Sequence, residues 1–183
     1  LGAFGKLVDL IRRDDGYVRN KLENKTVFVL PAFESSKDDF HAELSLVPSN
    51  KTAILEDVLV KKVAEPFHMD KYSGGHRPTN FTKWYANSLS VSYDIEYEWG
   101  FEPYVLGKVS ILPRFHTAFR GFGFNKQSWC EELSRMGFHY AVLSEFFVFH
   151  VGKSSGYIEV PQWVIHEHQR NFRPRLDRLY PKA

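Results

Sequence analysis

Apolar positions along this chain fall into short blocks whose period changes several times, and each change marks a new element. Between Leu1 and Arg13, Phe4, Leu7, Val8 and Ile11 recur at helical spacing, and Asp14-Asp15-Gly16 ends the pattern. Thr26–Phe33 (TVFVLPAF) is a continuous apolar run of strand length, which predicts a strand buried on both faces. Glu34–Asp39 is polar and turn-like. Ile54, Leu55, Val58 and Leu59 form one face of a second helix over Thr52–Val63, closed by Pro66. From Phe67 to Asn87 no period is visible, and Gly74-Gly75 and Pro78 act as breakers. A loop of that length inside a compact domain is more often functional than idle.

The second half repeats the alternation. Tyr93–Tyr97 alternates weakly as a strand, and Glu102-Pro103-Tyr104-Val105-Leu106 begins another. Asn125–Met136 predicts an amphipathic helix, with Asn125 as N-cap and Gly137 as its C-terminal stop. Tyr140–His150 (YAVLSEFFVFH) is strand-rich and mostly apolar. In the tail, Pro161–Tyr180 mixes charges with Trp163, Ile165, Phe172, Leu176 and Leu179, which reads as a surface helix interrupted at Pro174. Strands alternating with helices point to an α/β sheet. No internal repeat or low-complexity segment is visible.

Length and composition narrow the class. At 183 residues the chain suits one domain with a sizeable core. A formal net charge of +2 and the lack of any long Lys/Arg run exclude the electrostatic footprint of a nucleic-acid binder. The 16 Phe, 9 Tyr and 4 Trp supply core volume, and they also suit sugar-binding surfaces. One cysteine, Cys130, rules out an internal disulfide and reads as packing. Three sequons, at Asn24, Asn50 and Asn80, favour a lumenal or secreted setting. No apolar run approaches the ~18–20 residues of a membrane span. The chain opens on Leu1 and moves straight into helical periodicity, so it reads as a fragment whose targeting sequence is not informative.

The stretch Phe119–Lys153 concentrates the candidate chemistry. His150 closes an apolar strand, where ligands of α/β sheets gather, and is a candidate metal ligand. Gly152 and Lys153 beyond it could serve a phosphate through a backbone N–H and an ammonium. Gly121 and Gly123 precede a helix start at Asn125, either as a tight turn or as a cradle for an anionic or hydroxyl-rich ligand. Glu96, Glu98 and Glu102 cluster near a strand end. Among them Glu102 stands out because Pro103 fixes the local backbone, and its carboxylate could deprotonate an attacking hydroxyl. His166-Glu167-His168 resembles a metal pair only superficially, since residues two apart on a helix face different ways; both histidines read as surface residues.

With those residues in hand, the chain resembles the LARGE-type glycosyltransferases, glycosyltransferase family 49. The matching stretches are VLPAFE (Val29–Glu34), PTNFTKW (Pro78–Trp84), FEPYV (Phe101–Val105), FRGFGFNK (Phe119–Lys126), Glu132-Leu133 and the strand ending at His150. They cover most of residues 1–153 in order; the tail fits more loosely. The resemblance implies a GT-A fold, a Rossmann-like α/β domain with a mixed sheet flanked by helices. It also implies inverting, Mn2+-dependent transfer of a sugar such as glucuronate from a UDP-sugar to a glycan acceptor. In the family a D-x-D motif and a distal histidine hold the metal; His150 matches the histidine. The D-x-D is expected before Leu1, so residues 1–183 read as one partial domain, the C-terminal part, inactive alone. The resemblance further implies a Golgi-lumenal parent held in the membrane by an N-terminal anchor, acting in protein O-mannosylation. Around donor and acceptor it implies Trp84, as a stacking surface for a sugar, and Asn125; Trp84 as a core anchor is the plainer alternative.

Two rival readings stay open. One is a non-catalytic carbohydrate-binding or scaffolding protein derived from the same fold. The other is an unrelated α/β domain, which would leave His150 buried and far from both Glu102 and the Gly121–Asn125 turn.

Overall fold

The computed structural model describes residues 3–13, 16–35, 47–87, 89–119, 123–151 and 159–181. Its centre is a pair of parallel strands, β1 (Thr26–Leu30) and β6 (His139–Leu143), with Val27 opposite Tyr140 and Val29 opposite Val142. Strand β4 (Ser92–Ile95) adds antiparallel to β6, and β5 (Tyr104–Leu106) adds antiparallel to β1, giving the order β4-β6-β1-β5. A second, three-stranded sheet has the order β3-β2-β7, from β2 (Ala32–Ser35), β3 (Ala64–Pro66) and β7 (Val148–His150). In it β2 runs antiparallel to β3 and parallel to β7.

Strand alternation sorts the core into two layers. Val27, Val29, Tyr140 and Val142 join Trp129, Cys130 and Leu133 of helix α5 (Asn125–Arg135) in one buried cluster. On the opposite face Phe28, Ala141 and Leu143 meet Val18 and Leu22 of α2 (Tyr17–Glu23) and Leu7, Leu10 and Ile11 of α1 (Ala3–Arg13). Each fully buried side chain of that size contributes about 1.5–3 kcal/mol by leaving water. The result is an α/β fold with mixed sheets flanked by helices, as the alternating blocks predict. Helix α5 ends as expected at Gly137, whose φ of 77° suits glycine. The Gly137 and Phe138 N–H groups return to the Ser134 and Leu133 carbonyls, which completes the cap. Cys130 is buried, and burial pushes its thiol up to about 12.

The apolar run TVFVLPAF is not one strand but two, in different sheets. Pro31 has no N–H to give a ladder, and its carbonyl instead accepts from Val148 N at 2.9 Å. The run YAVLSEFFVFH divides in the same way, between β6 and β7, at Ser144–Phe147. Glu34 and Ser35, expected in a turn, belong to β2. The expected helix over Thr52–Val63 appears as α3 (Lys51–Leu55), continued by a wide π turn over Glu56–Val60, and Pro66 sits in a strand rather than merely closing it.

Two further expectations change. The supposed loop Phe67–Asn87 contains α4 (Phe81–Ala86), capped by the Asn80 side chain accepting from Lys83 N at 3.1 Å. Six residues are too few to leave a periodic signal. The tail is not interrupted at Pro174: α6 (Gln162–Glu167) passes through a π turn at His168–Phe172 into α7 (Arg173–Leu179). The wide turn accommodates the proline, which cannot donate to the carbonyl four residues back. Nor is the tail wholly superficial. Val164, Phe172 and Leu176 pack with Phe119, and His168, expected at the surface, is buried.

His168 belongs to a polar seam between α5 and the tail. Its Nε2 lies 2.7 Å from Glu131 Oε2, and Arg173 Nε donates to Glu131 Oε1 at 3.0 Å. Arg175 Nη1 and the Tyr180 hydroxyl donate to Glu132 Oε1 at 3.2 and 3.3 Å, and Arg135 pairs with Asp177 at 2.8 Å. Burial works to raise the Glu131 carboxyl, but the hydrogen bond and charge of His168, with Arg173, outweigh it and hold the group below its ordinary value. Removing the carboxylate leaves the buried His168 and the half-exposed Arg173 without their partner, so Glu131→Ala should cost about 3 kcal/mol in denaturant unfolding. A cost near zero would show that the seam contributes nothing to stability.

Candidate functional site

The parallel passage of β2 beside β7 sets Glu34 opposite His150 in register. Glu34 is buried and its Oε1 accepts from the backbone N–H of His68 at 2.8 Å. That bond secures a tight turn in which His68 takes a φ of 56°. The ring of Phe67 then lies among three imidazoles. It stacks on His68 at 3.9 Å between centroids, meets His150 at 5.2 Å, and meets His76 edge-on at 5.3 Å. His150 itself is exposed at the end of β7.

On the far side of His76 comes the carboxylate that the sequence singles out. Tyr104 stacks on His76 at 6.5 Å, and the Lys126 ammonium lies 4.8 Å from the centre of the Tyr104 ring. Glu102 Oε1 accepts from Gln127 Nε2 at 2.6 Å, while Lys126 Nζ stands 4.0 Å from Glu102 Oε2 and 3.4 Å from its backbone carbonyl. Glu102 N donates to Gly75 O at 2.9 Å, which ties this strand approach to the glycine pair at Gly74-Gly75. Tyr72 fills the gap between the two segments and donates to Gly100 O at 3.2 Å. A Cβ on Gly100, whose φ is 89°, would collide with that hydroxyl, so glycine is required there.

Electrostatics follow from this packing. Burial lowers the His76 imidazole to about 3, with the charges of Lys126 and His68 adding to the effect. His68 is also lowered by burial, helped by Lys71 and opposed by the carboxylates of Glu34 and Glu102. Tyr72 is raised, first by burial and then by the charge of Glu102.

The sequence-derived candidates are distributed as follows. Glu102 lies directly against the start of α5, and the ring ladder His76–Phe67 links that corner to His150. Among the remaining carboxylates, Glu96 is exposed, and Glu98 pairs with Arg77 at the surface. Gly123 takes a φ of 100°, with Val160 close to where a Cβ would stand. Asn125 is not the N-cap: Phe124 caps α5 with a φ of 59°, and Asn125 is the exposed first residue of the helix, its Oδ1 accepting from Lys126 N at 2.8 Å. Trp84 has 0% exposure; its Nε1 donates to Leu143 O at 2.9 Å and Lys51 Nζ lies 4.5 Å from its ring centre. It is a core anchor and offers no face for a sugar. Gly121, Gly152 and Lys153 lie outside the described residues.

Sequence reasoning missed Phe67, His68, Tyr72, His76, Lys126 and Gln127. The signal available was density: FHMDKYSGGH packs three ring-bearing types and two glycines into ten residues. As to a metal, His150 fits one corner of a divalent-cation site by exposure and ligand type. Among the described residues no three His, Cys, Asp or Glu side chains come together to hold one.

The His76 imidazole carries a pH signature. An unfolded chain takes up a proton there as pH falls through about 6.5, whereas the folded chain does not until about 3. Folding stability is therefore present above 6.5 and is lost progressively between those values. Denaturant titrations from pH 7 to 4 should show this decline, and His76→Phe should flatten it; an equal decline in the variant would remove His76 as the source.

Comparison with known proteins identifies the family. A family model described as "Glycosyl-transferase for dystroglycan" matches residues 2–180. A glycosyltransferase-like protein, gnt13, of Dictyostelium discoideum is 36% identical over 138 residues, which is 75% of this chain and 20% of that protein. The glycosyltransferase-like protein LARGE of Caenorhabditis elegans is 29% identical over 150 residues, 82% of this chain and 22% of its own length. Mouse beta-1,4-glucuronyltransferase 1 is 31% identical over 170 residues, 86% of this chain and 38% of the relative. This chain thus spans about a fifth of the first two and well under half of the third. With a family match running almost from end to end, the chain belongs to the LARGE-type glycosyltransferases of family 49.

Proposed function

We propose that this chain is the acceptor side of a glycosyltransferase catalytic domain. Its whole protein would move glucuronate or a related sugar from a UDP-sugar to a glycan hydroxyl, with inversion. The single observation carrying the reading is the clamp on Glu102. Gln127 engages Oε1, which leaves Oε2 to receive the proton of an incoming hydroxyl. In that step the acceptor oxygen bonds to the anomeric carbon, the bond from that carbon to UDP breaks, and Glu102 takes the hydroxyl proton. Lys126, held between Glu102 and Tyr104, orients the carboxylate.

His150 would supply one ligand to Mn2+, which when bound contributes Lewis-acid stabilisation of the leaving diphosphate. Gly123, together with Gly121 and Lys153, would border the diphosphate through backbone N–H groups and an ammonium. Asn125, exposed at the helix start, would face the saccharide. A Golgi-lumenal setting is supported by the exposure of all three sequon asparagines, Asn24, Asn50 and Asn80. No described helix is long and apolar enough to cross a membrane, so attachment would come from an anchor in another part of the whole protein.

In the whole protein, Glu102→Gln should lower kcat by about a hundredfold or more while leaving UDP affinity nearly intact. Wild-type turnover would remove Glu102 as base. His150→Ala should shift the manganese activation curve to higher concentration by tenfold or more, on the order of the loss expected for a metal ligand or its support. A superimposable curve would end the metal assignment.

A further inference from the structure

The orientation of one carboxamide decides which oxygen of Glu102 is open to a proton. Gln127 Nε2 serves two oxygens, Glu102 Oε1 at 2.6 Å and the Tyr72 hydroxyl at 3.5 Å. Gln127 Oε1, on the other side of the amide, is buried and has no hydrogen-bond partner among the described residues. An amide turned by half a rotation exchanges its oxygen and its nitrogen with almost no change of shape. With nothing engaging Oε1, the choice between the two orientations rests on the two partners of Nε2 alone.

Of those two partners only Tyr72 makes a constant demand. Glu102 requires an N–H donor while it is a carboxylate. Once it carries a proton on Oε1 it becomes a donor, and would then select the amide oxygen instead. The Tyr72 hydroxyl has its hydrogen committed to the Gly100 carbonyl at 3.2 Å, and a carbonyl can only accept. It therefore presents lone pairs to Gln127 and requires an N–H in either protonation state of Glu102. Tyr72 is itself fixed. His68 O accepts from its backbone N–H at 2.8 Å, and a Cβ on Gly75 would stand 2.9 Å from its Cδ1, so the ring closes directly over that backbone. Burial and then the Glu102 charge raise its hydroxyl above the ordinary value, so the donor to Gly100 persists at neutral pH.

Resting on the assignment of Glu102 as base, we propose that Tyr72 is a positioning residue that locks the Gln127 amide with its nitrogen toward Glu102. The lock keeps Oε1 an acceptor, so the proton of the incoming hydroxyl goes to Oε2. Without the Tyr72 hydroxyl the amide can turn, and Glu102 can hold a proton on Oε1 against the amide oxygen before any acceptor arrives. A hydrogen bond to the neutral form opposes ionisation, so the base form is then depleted. The other charged and titratable groups around Glu102 are Lys126 and Cys130 on α5, Tyr104 on β5 and His68 on the turn. Phenylalanine at position 72 alters none of those four, so a changed pH dependence reports the amide.

The test compares Tyr72→Phe, Gln127→Leu and the double variant in the whole protein, measuring kcat, both KM values and the pH–rate profile of each. Tyr72→Phe keeps the ring over the Gly75 backbone. Its kcat should fall about fivefold with both KM values within about twofold, and the acid limb of kcat/KM should move about half a unit to higher pH. In Gln127→Leu, kcat should fall about tenfold or more. Adding Tyr72→Phe to it should then cost less than about twofold, since Tyr72 acts through the amide. Losses that multiply in the double variant, or an unmoved acid limb in Tyr72→Phe, would overturn the lock and leave Tyr72 as packing. Should Gln127→Leu unfold, Tyr72→Phe decides alone: a shifted limb upholds the lock and an unmoved one ends it. Should Glu102→Gln lose turnover while Tyr72→Phe behaves as wild type, the base stands and the lock falls. Wild-type turnover in Glu102→Gln ends the base, and the lock with it.

Discussion

Two chain passes, β1 into β2 and β6 into β7, run side by side and in parallel across the junction between two sheets. Everything near the candidate site depends on their staying together through that crossing. Pro31 interrupts the first pass, yet its carbonyl accepts from Val148, so the second pass is held at the point where the first changes sheet. One residue later Ala32 O accepts from Phe67 N at 2.9 Å. The crossing therefore delivers three things to one corner: Glu34, His150 and the segment beginning at Phe67. A proline in a central strand would weaken a single sheet; here it marks where one sheet ends and the next begins.

From that corner to Glu102 the connection is made by rings rather than by backbone ladders. Phe67, His76 and Tyr104 form a row, and Lys126 and Gln127 at the start of α5 complete it around the carboxylate. His76 is kept neutral by its burial, so this row can lie in the interior without an uncompensated charge. Glu131 solves the same problem differently, by hydrogen-bonding partners on both oxygens, one of them the Arg173 guanidinium. One interior thus holds an imidazole by discharging it and a carboxylate by engaging both of its oxygens.

How much of this was legible beforehand differed by element. Helix α5 could be read almost to the residue, because its buried face repeats over three turns and Gly137 marks the stop. Strand directions and sheet membership could not, since TVFVLPAF and YAVLSEFFVFH each look continuous and only hydrogen-bond partners divide them. Glu102 was visible through Pro103, and His150 through its place at a strand end. The residues around them were not visible. Gln127 and Lys126 read as ordinary polar positions of a helix, and Tyr72 as part of an aperiodic stretch; their roles arise from contacts between segments about 25 to 55 residues apart. Trp84 and His168 departed from their surface readings in the same sense, both being buried, and for one reason. Residue type suggests a surface role for histidine and a sugar platform for tryptophan, but tertiary packing decided both.

Cys130 has so far figured only as core. It is the sole thiol of the chain, set between α5 and the central strands, with 1% of its surface exposed and its ionisation pushed to about 12. Thiol reagents attack the thiolate, and at neutral pH the native chain presents neither that species nor a path to it. Alkylation of this chain can proceed only when α5 lifts from the sheet. The modification rate of this one sulfur is therefore a clock for opening events at the centre of the fold, readable by mass alone and needing no added probe.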